Sequence, residues 1–119
     1  MLGNTLMNYF IKNPKFNVYG TARSEESVEK LHSSIKSRLI FGIDIDQEDT
    51  ITSLFDDIKP DVVINCIGLV KQLADSNDPL SVLPVNSLFP HKLAKVCSLN
   101  SSRLIHISTD CVFSGSKGM

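Results

Sequence analysis

This sequence predicts an α/β fold with a doubly wound parallel sheet, and three observations carry the expectation. Short β-rich runs alternate with amphipathic helical stretches, giving a helix, then strand and helix three times, then a strand, at the spacing of βαβ crossovers. The run Asp61-Val62-Val63-Ile64-Asn65-Cys66-Ile67-Gly68 is apolar without alternation, as expected where helices cover both faces of a parallel strand. Finally, Arg103-Leu104-Ile105-His106-Ile107 favours extended backbone and runs straight into Ser108-Thr109-Asp110, a buried strand delivering a hydroxyl and a carboxylate to its C-terminal edge. Ligands bind at that edge in open α/β sheets.

Composition sets the bounds. With 119 residues, 42% hydrophobic and 21% charged, the chain has the balance of one soluble domain over residues 1–119. A formal net charge of −1 provides no whole-molecule field for nucleic acid or an anionic membrane, so neither is expected as a partner. An anionic ligand must then be held by local geometry. No apolar run approaches the roughly 18 residues of a membrane span, no charged-then-apolar leader opens the chain, and a cytoplasmic location is expected. Cys66, Cys97 and Cys111 are odd in number and far apart, without a C-x-x-C pair or a histidine cluster, so reduced thiols are expected and no metal site.

The elements follow in order. Residues 1–12 carry apolar side chains at positions 2, 6, 7, 10 and 11, a helical stripe that Asn13-Pro14 stops. Residues 15–21, with Phe16, Val18 and Tyr19, read as a short strand. A helix follows with Ser24 as its N-cap and Glu25 and Glu26 in a first turn that suits the dipole. Residues 38–43 form the next strand, and Asp44-Ile45-Asp46 leads to a helix over about residues 47–59 with Ile51, Leu54, Phe55 and Ile58 on one face. Pro60 ends it before the strand at 61–68. After a polar loop at 71–79 comes a long helix over roughly residues 80–99, whose first half Pro84 and Pro90 make irregular or kinked. Asn100-Ser101-Ser102 then turns into the last strand.

A helix beginning at Gly3 should follow a strand in such an alternating chain. Met1-Leu2-Gly3 looks like the tail of a glycine-rich phosphate-binding turn, with a frayed N-terminal helix as the plainer explanation. The expectation is a domain whose first strand and C-terminal part lie outside these residues.

Four motifs, Gly20-Thr21-Ala22-Arg23, Asp44-Ile45, Asn65-Cys66-Ile67-Gly68 and Ile107-Ser108-Thr109-Asp110-Cys111-Val112-Phe113-Ser114-Gly115, together resemble the extended short-chain dehydrogenase/reductase superfamily. Within it the sequence is most similar to the dTDP-4-dehydrorhamnose reductase family of sugar-nucleotide reductases. The resemblance implies a Rossmann-like NAD(P)-binding domain and the NAD(P)H-dependent reduction of a nucleotide-linked 4-keto-6-deoxy sugar. A nucleotide-sugar substrate is the implied partner, with a homodimer as a possible assembly.

Each residue has a role by resemblance and a plainer alternative. Gly3 would be the last glycine of the phosphate turn. Arg23 stands where such folds meet the adenosine ribose; with no acidic residue closing that strand, an arginine able to pair with a 2′-phosphate favours NADP(H) over NAD(H). A solvated arginine near a helix start explains it equally. Asp44 and Ile45 would face the adenine, although Asp44 also suits a helix cap. Cys66, Ile67 and Gly68 would lie beneath ribose and pyrophosphate, Gly68 allowing close backbone approach, and Ser108 would support that cofactor edge. Thr109 corresponds to the catalytic serine or threonine whose hydroxyl holds the substrate carbonyl oxygen. Lys71, Asn86, Asp110, Cys111, Val112 and Phe113 would meet substrate, with bracing through hydrogen bonds the alternative for Asn86. Cys111 stands where relatives often carry tyrosine. His91 and His106 read as structural.

The resemblance also implies a Y-x-x-x-K pair. Tyr9 and Tyr19 are the only tyrosines, and Asn13 and Arg23 stand four residues after them. The pair is therefore expected beyond Met119, and residues 1–119 alone are not expected to form an active enzyme. Two other readings stay open: a non-catalytic subunit of the same fold, like the regulatory subunit of methionine adenosyltransferase, and a sugar-nucleotide epimerase or dehydratase.

Overall fold

The computed structural model describes residues 2–29, 31–69 and 78–108. It divides into two compact units, Met1–Leu54 and Phe55–Met119, each built on two parallel strands. Helices alternate with parallel strands throughout, the pattern of a partial Rossmann-like α/β domain.

In the first unit, the apolar stripe of the opening residues forms helix α1 (Leu2–Phe10). Phe10 then stacks edge-on with Tyr9 (centroids 5.2 Å apart) and with Phe16 (5.4 Å). Asn13 turns the chain between them, its side-chain oxygen accepting from Lys15 N (3.1 Å) and its carbonyl from Phe16 N (3.1 Å). The strand expected over 15–21 therefore starts late, because Phe16 is drawn back onto the end of α1. Strand β1 is Gly20–Ala22. A methyl group on Gly20 would run into the Met7 sulfur and come within 2.9 Å of Leu39 Cδ2, so the bare strand start is what admits Met7.

The helix expected after Ser24 is broken in two. Ser24 does not cap it; instead the Ser27 hydroxyl donates to the Ser24 carbonyl at 2.6 Å, and a single 3-10 turn covers Glu26–Val28. Helix α2 (Ser33–Lys36) starts afresh, with the His32 ring accepting from Ser34 N, and it buries Ile35 and packs against α1. Strand β2 (Leu39–Phe41) pairs with β1 in the register Gly20↔Leu39, Thr21↔Ile40, Ala22↔Phe41. Gly42 ends it at φ 78°, a conformation that glycine adopts without strain. Helix α3 (Glu48–Ile58) opens with Glu48 and Asp49, which suit its dipole, and buries Ile51 and Phe55.

The second unit carries strands β3 (Val62–Asn65) and β4 (Arg103–His106), paired in the register Val62↔Arg103, Val63↔Leu104, Ile64↔Ile105, Asn65↔His106. Between them, Asp78 caps helix α4 (Pro79–Val82), accepting from Leu80 N at 3.1 Å and the Ser81 hydroxyl at 2.7 Å. Those two bonds hold its carboxyl below the usual carboxylate range. Leu83–Leu88 then widens into a π-helical turn, closed by Phe89 N donating to the Pro84 carbonyl five residues back. Pro84 and Pro90 lack the N–H of a regular ladder and crowd the turn before them, and the wider turn accommodates both.

Helix α5 (Phe89–Leu99) follows, with Phe89, Leu93 and Cys97 buried at every fourth position. That stripe is the face it turns inward, and α5 packs against β4. Both helix-to-strand turns place a non-glycine residue in the left-handed region, Lys59 at φ 48° and Ser101 at φ 55°. The Ser102 hydroxyl ties them together, donating to the Pro60 carbonyl at 2.6 Å.

Left-handed backbone costs a non-glycine residue about 1–2 kcal/mol. Gly42→Ala should accordingly lower unfolding stability by about 1–2 kcal/mol, while Ser101→Gly should raise it by up to about 1 kcal/mol, both read from denaturant midpoints. The Asp78 cap carries a pH signature. Its folded-state pKa is depressed, so its contribution is present above the ordinary carboxylate value and is lost as pH falls through the depressed one. Asp78→Asn, which can still accept from Leu80, should abolish that acid-side loss in a pH series of melting curves.

Candidate functional site

Parallel pairing brings the C-terminal ends of both strands in a unit to one edge. In the second unit, that edge begins with Asn65, the one buried polar residue among the described ones, at 3% exposure. An amide in an apolar strand must be fully bonded. Its side-chain oxygen accepts from Ile67 N at 3.0 Å, its Nδ2 lies 3.2 Å from His106 Nδ1, and its carbonyl accepts from Ile107 N at 3.2 Å. The turn after β3 and the end of β4 are thus held by one residue.

The same turn is gripped again two residues on. Asn86, on the π-helical turn, accepts from Leu69 N at 2.8 Å and donates to the Leu69 carbonyl at 2.9 Å. Both ends of its amide pair with backbone as a neighbouring strand would. Gly68 sits between the two anchored residues, and it is exposed.

Among the described residues, nothing demands a glycine there. Its φ is not in the left-handed region, and among the described residues an added methyl would meet only Asn86 Oδ1 at 3.6 Å, an ordinary contact. Of its neighbours, Ile67 is exposed at 42%. Cys66 is half-buried, and burial pushes its thiol up, as it does that of Cys97. A neutral thiol is a poor nucleophile, so Cys66 lines the edge rather than attacking from it. Ser108 is exposed at the end of β4.

In the first unit the corresponding edge holds Arg23, Asp44 and Ile45. Arg23 is exposed, and its carbonyl accepts from Gly42 N at 3.3 Å, which fixes it just past β1. Asp44 accepts from Asp46 N through its carboxylate at 3.2 Å, and its own N–H donates to Thr50 Oγ1 at 3.3 Å. It therefore braces the turn into α3. Ile45 is buried at 8% exposure. Gly3 lies half-buried in the first turn of α1.

Lys71, Thr109, Asp110, Cys111, Val112 and Phe113 lie outside the described residues. Among the described residues, no group of three or more His, Cys, Asp or Glu is placed to hold a metal, and no helix is long and apolar enough to cross a membrane. What the second-unit edge offers chemically is a bare, doubly anchored backbone turn beside a strand end bearing a hydroxyl. Sequence reasoning placed Asn65 in a motif but gave it no role, and the Asn65–His106 contact was not foreseen. The available signal was a lone amide inside the run Val62-Val63-Ile64-Asn65-Cys66-Ile67, which cannot be buried there without partners.

Removing one side of a buried hydrogen-bond pair costs about 1–3 kcal/mol. Asn86→Ala should destabilise by about that amount and speed hydrogen exchange at the Leu69 amide. Asn86→Asp, which keeps the acceptor for Leu69 N and loses the donor to its carbonyl, should destabilise while leaving the Leu69 amide protected.

Across its whole length the chain matches one protein family, described as the RmlD substrate binding domain, over residues 1–119. It is 44% identical over 59 residues to a dTDP-4-dehydrorhamnose reductase of Mycobacterium tuberculosis, covering 49% of this chain and 19% of that protein. It is 27% identical over 116 residues to a dTDP-4-dehydrorhamnose reductase of Aggregatibacter actinomycetemcomitans, covering 98% of this chain and 34% of that protein. A probable low-salt glycan biosynthesis reductase of Haloferax volcanii is 34% identical over 73 residues, which is 61% of this chain and 24% of that protein. The matched segments thus span between 19% and 34% of these relatives.

Proposed function

The chain belongs to the RmlD substrate binding domain family, and from that premise we propose that residues 1–119 are part of the nicotinamide-binding domain of a reductase acting on a nucleotide-linked 4-keto-6-deoxy sugar. The observation that carries the reading is Gly68: an exposed glycine, anchored on both sides, whose missing side chain serves no need among the described residues. Such a position suits close approach of a flat ribose or pyrophosphate to backbone. The names of the relatives support the same reading.

When bound, the nicotinamide cofactor supplies a hydride. The residues of this chain bind and orient. Cys66, Ile67 and Gly68 form the floor beneath the ribose, and Ser108 flanks it. Arg23, exposed and with no acidic neighbour closing its strand, pairs with a 2′-phosphate, which favours NADP(H) over NAD(H). Asp44 and Ile45 meet the adenine end, and Gly3 lets the first helix approach the pyrophosphate.

Thr109 donates its hydroxyl to the substrate carbonyl oxygen and holds it as negative charge builds there. Lys71, Asp110, Cys111, Val112 and Phe113 line the sugar-nucleotide side, and Asn86 acts on it through the Leu69 backbone. Neither Tyr9 nor Tyr19 is followed four residues on by lysine, so the proton delivered to the carbonyl oxygen comes from a group other than a Y-x-x-x-K pair of these residues.

In the full chain, NADPH should be oxidised in the presence of a nucleotide-linked 4-keto sugar. Thr109→Ala should lower kcat by about 100-fold while leaving NADPH affinity near wild type. Arg23→Ala should weaken NADPH binding and leave NADH binding nearly unchanged. Tight NADPH binding without any turnover would instead favour a non-catalytic subunit, and absence of nicotinamide binding would overturn the proposal.

A further inference from the structure

The contact between Asn65 and His106 specifies a protonation state. A backbone N–H can only donate, so the Asn65 atom facing Ile67 N at 3.0 Å is the amide oxygen. The Asn65 atom facing His106 is then the NH2, which also can only donate. His106 Nδ1, 3.2 Å away, must present its lone pair. His106 is therefore neutral with its proton on Nε2. Its ring belongs to an exposed residue while its partner is buried at 3% exposure, so solvent protons reach the imidazole although the bond it makes is part-buried.

Protonation at Nδ1 would point an N–H at an NH2 group and break the bond. The elements packed on β4 offer little to offset this. Among the described residues, β3 carries no carboxylate, α5 carries none, and the titratable groups on or beside them are Asp61 at the far end of β3, Cys66, His91, Lys92, Lys95, Cys97 and Arg103. Cys66 and Cys97 are held neutral by burial. Losing the His106 contact leaves the Asn65 amide free to turn, and with it the grip on Ile67 N.

We infer that Asn65 and neutral His106 form a positioning pair that locks the 66–68 turn to the end of β4, a role that rests on the reductase reading for its effect on turnover. The pair is not among the residues placed at substrate or cofactor. It acts through Ile67 N and through the Ile107 N–H bonded to the Asn65 carbonyl at 3.2 Å, which together set the turn bearing Gly68 against the strand end bearing Ser108.

Imidazole nitrogen NMR on the full chain should show His106 as the Nε2–H tautomer at neutral pH. Asn65→Asp, whose carboxylate still accepts from Ile67 N but now accepts from the ring as well, should switch His106 to the Nδ1–H tautomer. Acidification that protonates His106 should lower the exchange protection of the Ile67 amide by about tenfold. His106→Gln, which offers Asn65 a non-titrating acceptor, should retain protection and NADPH-dependent turnover and lose that acid sensitivity. His106→Phe, which offers none, should lose protection at all pH values and lower kcat by about tenfold.

An Nδ1–H tautomer in the wild type, or equal Ile67 protection in His106→Gln and His106→Phe, would overturn the pair. The NMR and exchange readouts need no substrate, so a wild-type chain lacking reductase activity would sink the reductase reading without bearing on them. Equal kcat in the two variants, with their Ile67 protection differing as expected, would overturn the positioning role alone.

Discussion

The parallel pairing of β3 with β4 is the constraint on which the candidate edge depends, and side chains hold it at both ends. Each strand is four residues long, and a backbone hydrogen bond contributes only about 1 kcal/mol net. So short a ladder does not fix its own register firmly. At the entry, the Ser102 hydroxyl reaches the Pro60 carbonyl at 2.6 Å, joining the two turns from which the strands start. At the exit, Asn65 binds its own following turn and the neighbouring strand together. Between these pins the apolar stripe of α5 covers β4 through Phe89, Leu93 and Cys97.

The exit end has the features of a binding edge. Asn65 and Asn86 approach the turn after β3 from a strand and from a π-helical turn, and each satisfies backbone groups that would otherwise be left without partners. The prolines that force the widened turn are also what interrupt the regular helix where Asn86 stands. A rigid loop carrying a bare glycine is the outcome. In the first unit the β1–β2 edge presents an exposed cation at Arg23. Residues 1–119 belong to the RmlD substrate binding domain family, and relatives matched over part of the chain are named reductases.

The alternation of helices and strands was legible from hydrophobic pattern, and the irregular start of the last helix from Pro84 and Pro90. Element ends were not. The strand beginning at Gly20 was displaced because ring stacking between Phe10 and Phe16 overrides the β-propensity of Phe16, Val18 and Tyr19. The helix after Ser24 is instead a single 3-10 turn at Glu26–Val28 followed by the short α2. At the edge, Asn86 and Asp44 were recognisable as special, yet sequence could not tell a ligand contact from a backbone brace, and both show braces here. His106 read as structural, and its protonation state emerged only from the direction of the neighbouring Ile67 bond.

Gly68→Ala with NADPH binding measured alongside thermal unfolding tests the central claim most directly. Among the described residues the methyl group would meet only Asn86 Oδ1 at 3.6 Å, so melting should stay near that of the wild type. Crowding a packed ligand contact costs about 1–3 kcal/mol, and NADPH affinity should fall by about ten- to hundredfold. Unchanged affinity in a normally folded variant would contradict the assignment of this turn to the cofactor.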